Sequence, residues 1–216
     1  MIGRSWCVAI AMFVAPAAAA GQGRNTRAPR AAAPVSAPTQ WHLPADSSNT
    51  ARFTVREQLV GAELPNDAIG ITRSITGGIV LDAAGRIDSI GSHVTVDMRT
   101  LTTDRVNRDR YIKSHTLVTD SFPYATFVPQ QLRLTSGSLT GSGPFAGTML
   151  GTLTLHGTTS PAAWTVTGTV NGNDIKGTAT THIHFADYRM TQPRLMLVMS
   201  IVDDVKLDYD FHFVKS

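Results

Sequence analysis

Two short stretches hold most of the side chains that could do chemistry in this chain. Residues 108–115 read Arg-Asp-Arg-Tyr-Ile-Lys-Ser-His, with Arg105 just upstream. Arg105, Arg108 and Arg110 offer forked donors of the kind that clamp a phosphate or carboxylate, so they are candidates for contact with an anionic headgroup. The alternative is a short helix whose charges mostly face water, with Asp109 holding it to its neighbours. The second stretch is His182-Ile183-His184. On a strand, residues i and i+2 share a face, which presents two imidazoles to one metal ion. A third ligand is normally required, and the spacing leaves it open among His212, Asp187 and His93. The opposite face carries Ile183 and Phe185, which turns the two histidines toward solvent. His156, in a Leu-His-Gly turn, is expected to satisfy a nearby carbonyl, because general-base work needs a nucleophile and an orienting group in reach. GxSxG, HExxH, P-loop and GxGxxG patterns are absent from the sequence. No catalytic residue and no cofactor is expected.

The elements that must position these side chains read as strands. Val205, Leu207, Tyr209, Phe211 and Phe213 alternate with mostly polar residues, the period of a half-buried strand. The same period runs through Val94–Met98, Met149–Leu155, Trp164–Val170 and Ile175–Phe185. Between the last two sits Asn171-Gly172-Asn173-Asp174, chemistry suited to a tight hairpin turn. Threonine is abundant and glutamate occurs only at Glu57 and Glu63, both of which favour strand over helix. The expected class is all-β, an extended antiparallel barrel of about eight strands, with one short helix near 103–114. Thr102, Thr103 or Asp104 is expected to cap that helix, Asp109 to pair with Arg105 or Lys113, and Ser114 to end it. Gly151, Gly168, Gly177 and Ala179 fall on inward faces, where small residues either bend the wall or leave lumen space.

The first 40 residues read differently. Arg4, the apolar run from Ser5 to Val14 and the small residues Ala17 to Ala20 have the architecture of a cleaved secretory signal over residues 1–20. The apolar run is too short to span a bilayer, so no transmembrane anchor is expected in the mature chain. Residues 21–40 are Ala/Pro-rich with three arginines and no apolar period, a flexible linker. That leaves 41–216 as one domain, exported to the periplasm or secreted. The +3 formal charge arises upstream of it. Without Arg4, Arg24, Arg27 and Arg30, the 19 basic residues become 15 against 16 acidic ones, which removes the argument for nucleic acid as a partner. Cys7, the only cysteine, leaves with the signal, so neither disulfide nor thiolate chemistry is available to the domain.

A set of motifs in fixed order then stands out: Trp41, Phe53-Thr54-Val55-Arg56, Leu101 with Thr103, Arg108-Asp109, Pro123-Tyr124-Ala125-Thr126-Phe127, the run from Gly151 to Pro161 (GTLTLHGTTSP), Asp187-Tyr188 and Asp203-Asp204-Val205-Lys206-Leu207. Together they resemble the YceI-like family of secreted lipid-binding proteins over most of 41–216. The resemblance implies a lipocalin-like barrel, an apolar tunnel for a long isoprenoid or similar amphiphile, and no established catalytic residues. It also favours a structural role for Arg108-Asp109. Two positions depart from the family pattern: Glu57 stands where a histidine is frequent, and Arg189 where a glycine is frequent.

The expected function is therefore an exported, non-enzymatic protein that holds an apolar, isoprenoid-like chain for transport, storage or sequestration. Phe53, Val55, Val94, Val96, Phe127, Leu153, Leu155, Trp164, Val166, Val205 and Leu207 are the expected lumen-facing, ligand-binding residues. Rival readings are a metal-binding module or metal-dependent hydrolase built on His182 and His184, and a ligand-free envelope interaction module. Residues Met190–Met199 read either as entry to a final buried strand or as an adaptable apolar lip. Bulges are the weak point of any inward–outward assignment, since a one-residue slip swaps the faces.

Overall fold

The computed structural model describes residues 37–44, 48–61, 63–193 and 198–216. Their strands are β1 (Thr39–His42), β2 (Thr50–Leu59), β3 (Asn66–Thr72), β4 (Ile75–Leu81), β5 (His93–Asp97), β6 (Tyr124–Ser136), β7 (Gly143–Leu155), β8 (Thr158–Asn171), β9 (Asp174–Ile183) and β10 (Val198–Lys215). The expected signal segment and nearly all of the expected linker lie outside the described residues. β1 begins at Thr39, two residues inside the stretch read as linker, because Thr39 and Gln40 pair with Leu81 and Val80.

The ten strands make eight staves. β1 and β2 lie end to end along one edge of β10, opposite Val214–Lys215 and Val198–Asp210. β3 and β4 lie end to end beside them, β3 on β2 and β4 on β1. From β4 the order runs antiparallel through β5, β6, β7, β8 and β9 to β10, and the β1–β10 pairing closes the ring. Among the described residues closure leaves only β3 without a second strand neighbour, and its outer edge is met by the isolated Ile71–Thr102 bridge.

The walls follow the sequence period. β7 alternates strictly, with Phe145, Gly147, Met149, Gly151, Leu153 and Leu155 buried. Gly172 closes the β8–β9 hairpin at φ 60°, with Asn171 opposite Asp174. The inward glycines do not open the lumen. Aromatic rings lie over them: a Cβ on Gly151 would stand 2.7 Å from the Phe127 ring, on Gly168 2.7 Å from Phe145, and on Gly177 2.7 Å from Phe211. Small residue and ring act as one packing unit, since each ring occupies the space a larger side chain would need.

The β5–β6 connection folds over one barrel end. It holds helix α1 (Val106–Tyr111), continued by a π-helical turn over Ile112–Thr116, two residues beyond the expected stop. Thr116 and Leu117 are buried, so the added turn carries the chain back into the core. Capping also differs from expectation. Arg105 takes the N-cap position without a side-chain capping bond. Asp109 instead reaches back to accept from the Thr103 amide at 2.7 Å and the Thr103 hydroxyl at 2.6 Å, in place of the expected pairing with Arg105 or Lys113. A two-point tie to the backbone and hydroxyl of a nearby residue orders the carboxylate better than one solvated ion pair does.

Candidate functional site

The barrel encloses an apolar cavity of about 180 Å³. One water-sized group needs roughly 10–15 Å³ on this measure, so the space takes on the order of a dozen such groups in a row or cluster. All ten strands contribute to its wall, among them β4 through Ile79 and Leu81 and β9 through Ile175 and Ala179, and Met98, Leu101 and Leu139 add to it from the connections.

Nine of the eleven residues expected to face the lumen line this cavity: Phe53, Val94, Val96, Phe127, Leu153, Leu155, Trp164, Val166 and Leu207. Val55 and Val205 also point inward, but they face each other across the β2–β10 pair within the packed cluster at the helix end. Phe145, Met149 and Phe211 share faces with expected residues, and extending the alternation along β7 and β10 finds them. Leu132 is a different case. β6 carries a bulge between Pro129 and Gln131, after which the inward face passes from odd to even positions, so the period read from Phe127 fails there.

The polar side chains on the cavity wall are mostly satisfied. Arg52 bonds Asp210 at 2.6 Å, Thr72 bonds Thr100 at 2.6 Å, Thr180 donates to Asp208 at 2.6 Å, and the Tyr209 hydroxyl donates to Asn49 at 2.9 Å. Burial pushes the Tyr209 phenol well above its ordinary pKa, so it stays a neutral donor. The Asp208 carboxyl is held below its usual range: burial works against ionisation, but bonds from Thr180 and Lys206 outweigh it. The indole N–H groups of Trp41 and Trp164 are buried with no hydrogen-bond partner among the described residues. A buried donor without an acceptor costs about 1–3 kcal/mol.

The three arginines do not form a clamp. Arg108 turns inward, 8% exposed, and bonds Glu57, 3% exposed, at 2.5 Å. Its other terminal nitrogen bonds Asp104. Its expected headgroup role is corrected accordingly: its charge is spent within the protein, locking α1 onto β2. Glu57 is the residue that departs from the family pattern, and the pair explains why an acid is tolerated at a buried position. Arg105 and Arg110 remain exposed, and neither lines the cavity.

The histidine pair points outward as expected, but each ring has its own partner. His182 Nδ1 lies 2.7 Å from Asp204, and His184 Nδ1 bonds the Asp203 carbonyl. That carbonyl bond raises the His184 pKa above 6.5. Asp187 caps the His184 amide at 3.0 Å. His212 sits between Asp174 at 2.5 Å and Ser48 at 3.0 Å, tying β9 and β10 to the segment before β2. Among the described residues no group of three or more His, Cys, Asp or Glu is arranged to hold a metal ion. His156 adopts φ 50° in the β7–β8 turn and contacts the Tyr188 carbonyl at 3.2 Å, the carbonyl contact expected for it. Of the Met-rich segment, Met190 is buried and Met199 is 69% exposed, while residues 194–197 lie outside the described residues.

A closed antiparallel barrel around an apolar cavity defines a lipocalin-like class of small-molecule binding fold. Within that class, the model of the YceI-like domain matches residues 41–213, and the chain belongs to this family. No curated protein matches it in sequence. Among solved structures, a polyisoprenoid binding domain from Saccharophagus degradans is similar over 82% of this chain and 98% of that one, with 13% identity and a TM-score of 0.61. Burkholderia cenocepacia BcnA is similar over 77% of this chain and 96% of its own, at 16% identity and a TM-score of 0.56. A Campylobacter jejuni YCEI protein is similar over 74% and 90%, at 16% identity and a TM-score of 0.51. At these identities the likeness is one of fold. Among the described residues no helix is long and apolar enough to cross a membrane.

Proposed function

We propose that this protein is an exported, non-enzymatic carrier or sequestering protein for a long apolar chain of isoprenoid-like character, held inside the barrel. The carrying observation is the cavity itself: about 180 Å³ enclosed by leucine, valine and aromatic side chains in a ring of strands. The nine lining residues named above are the proposed ligand contacts. Membership of the YceI-like family and the fold likeness to a polyisoprenoid binding domain support the same class of cargo. Export rests on the signal-like first 20 residues.

The physics suits such a cargo. Each methylene moved from water into the cavity contributes roughly 0.8 kcal/mol, so ten carbons contribute on the order of 8 kcal/mol before ordering costs. Affinity is spread along the wall, and no single side chain has to dominate. Native mass spectrometry of protein purified from its exported compartment without detergent tests the reading. One lipid-sized mass excess per chain is expected. A bare polypeptide that also fails to take up isoprenoids in vitro would sink it.

A further inference from the structure

The apolar cavity adjoins a second space. At the barrel end opposite α1 lies a more polar recess of about 160 Å³. It is framed by the β4–β5 turn at Asp82 and Gly85, the β6–β7 connection at Leu139 and Thr140, the β8–β9 hairpin at Gly172, and Lys215 of β10. Three side chains line both spaces and so form the partition between them: Trp41, Leu81 and Leu139. Trp41 and Leu81 are its fixed part. Both are buried and both sit in strand ladders, Trp41 between Ile79 and Lys215 and Leu81 opposite Thr39.

Leu139 belongs to no strand. It is the one large apolar residue of the connection 137–142, Gly-Ser-Leu-Thr-Gly-Ser. Its five companions are exposed, and Leu139 alone is half-buried, packed against the cluster that holds Trp41 and Phe145. The side-chain bonds of this connection are local: the Ser138 and Thr140 hydroxyls lie 3.0 Å apart, and the Thr140 amide donates to Ser138 at 3.1 Å. A glycine stands at each end, Gly137 at φ 76° and Gly143 at φ 108°, where the backbone turns with least steric cost. The β4–β5 turn across the mouth is tied more firmly. Asp82 accepts from the amides of Ala84 and Arg86 at 2.8 and 2.9 Å and from the Arg86 guanidinium at 2.8 Å. A Cβ on Gly85 would stand 3.1 Å from the Thr140 methyl, so the two connections meet there.

We infer that the cargo enters at this end and that Leu139 is its gate. The β6–β7 connection turns on Gly137 and Gly143, lifts Leu139 out of the partition, and joins recess and cavity into one channel. This deepens the proposed function and rests on it. The helix end offers no such element, since Leu117, Phe185 and Tyr188 are packed together there. With its tail in the cavity, an amphiphile leaves its polar end in the recess.

The test mixes the full chain with a fluorescent long-chain polyene fatty acid in a stopped-flow cell and reads association and dissociation rates. Wild type is compared with Leu139→Ala and Leu139→Asn, and with Leu132→Ala as a truncation of the fixed wall. Expected is an association rate about tenfold higher in both Leu139 variants, the rate equivalent of the apolar burial that a half-buried leucine gives up on lifting. Leu132→Ala is expected to speed dissociation only. An association rate unchanged in either Leu139 variant overturns the inference and leaves the carrier reading standing. An equal rise in Leu132→Ala also overturns it, because that marks a general loosening of the barrel. No uptake of the fatty acid by wild type overturns both.

Discussion

The two ends of the barrel are built from similar side chains and put to different use. At the helix end, Val55, Ala68, Leu117, Ile183, Phe185, Tyr188 and Val205 pack against one another, and the Glu57–Arg108 pair bolts α1 over them. Tyr188 is almost wholly buried, and burial raises its phenol pKa to about 12. Toward the opposite end, Trp41, Val94, Phe145, Met149, Val166 and Phe211 are as apolar but stand around space. Composition does not distinguish plug from pocket here. What distinguishes them is whether a connection folds back to fill the end. The long β5–β6 segment does so at one end; at the other, the β4–β5 and β6–β7 connections and the Gly172 hairpin stand around a second, more polar recess.

That contrast can be broken first at the bolt. Arg108→Met leaves Glu57 buried without its cation and is expected to cost about 3–5 kcal/mol in urea unfolding. The Glu57→Leu, Arg108→Met double variant should recover most of that loss, because a buried pair is worth little more than well-packed apolar side chains. A double variant no better than the single would show that the pair does more than offset its own desolvation.

A matched pair of enlargements sharpens the difference between the ends. Ala68, 2% exposed in the sealed cluster, has no room to grow, and Ala68→Leu should destabilise by about 1–3 kcal/mol. Ala179 borders the cavity, so Ala179→Leu should cost less than about 1 kcal/mol while reducing lipid uptake. Equal destabilisation with unchanged uptake would mean that the cavity wall is as closely packed as the core.

A smaller effect tests how α1 is held. Asp109→Asn keeps one acceptor oxygen but loses the charge that strengthens both bonds from Thr103, and about 1–2 kcal/mol should be lost. The smallest expected effect is the pH response at His184. Its folded pKa is raised by the bond to the Asp203 carbonyl, so its stabilising contribution is fully present below 6.5 and is lost as pH rises through the folded value. An NMR titration of this ring should give a midpoint above 6.5. A midpoint at or below it would mean that the carbonyl bond does not persist in solution.

Much of the wall was legible because a strand repeats every two residues. Trp164–Val170 and Val205–Phe213 announce their inward faces without reference to anything else. The reading failed where that count is interrupted, as at the Pro129–Gln131 bulge before Leu132. It also failed where a charge's partner is remote in sequence. Arg108 reads as one more surface cation because nothing local says that Glu57, 51 residues away, is folded beneath it. Val55 and Val205, expected to line the lumen, instead pack against each other, because sequence period cannot say whether an inward residue meets a neighbour or a void.

The sequence by itself determined the alternating faces of β5, β7, β8, β9 and the later part of β10, the turn between β8 and β9 and the absence of familiar catalytic motifs, since all of these depend on residues within a few positions of one another. Tertiary structure alone decided the closure of β1 onto β10, the inward turn of Arg108, the partners that occupy His182 and His184, and the cavity with its two unpaired indoles. These depend on which distant segments meet, and a cavity is a property of the space that none of them fills.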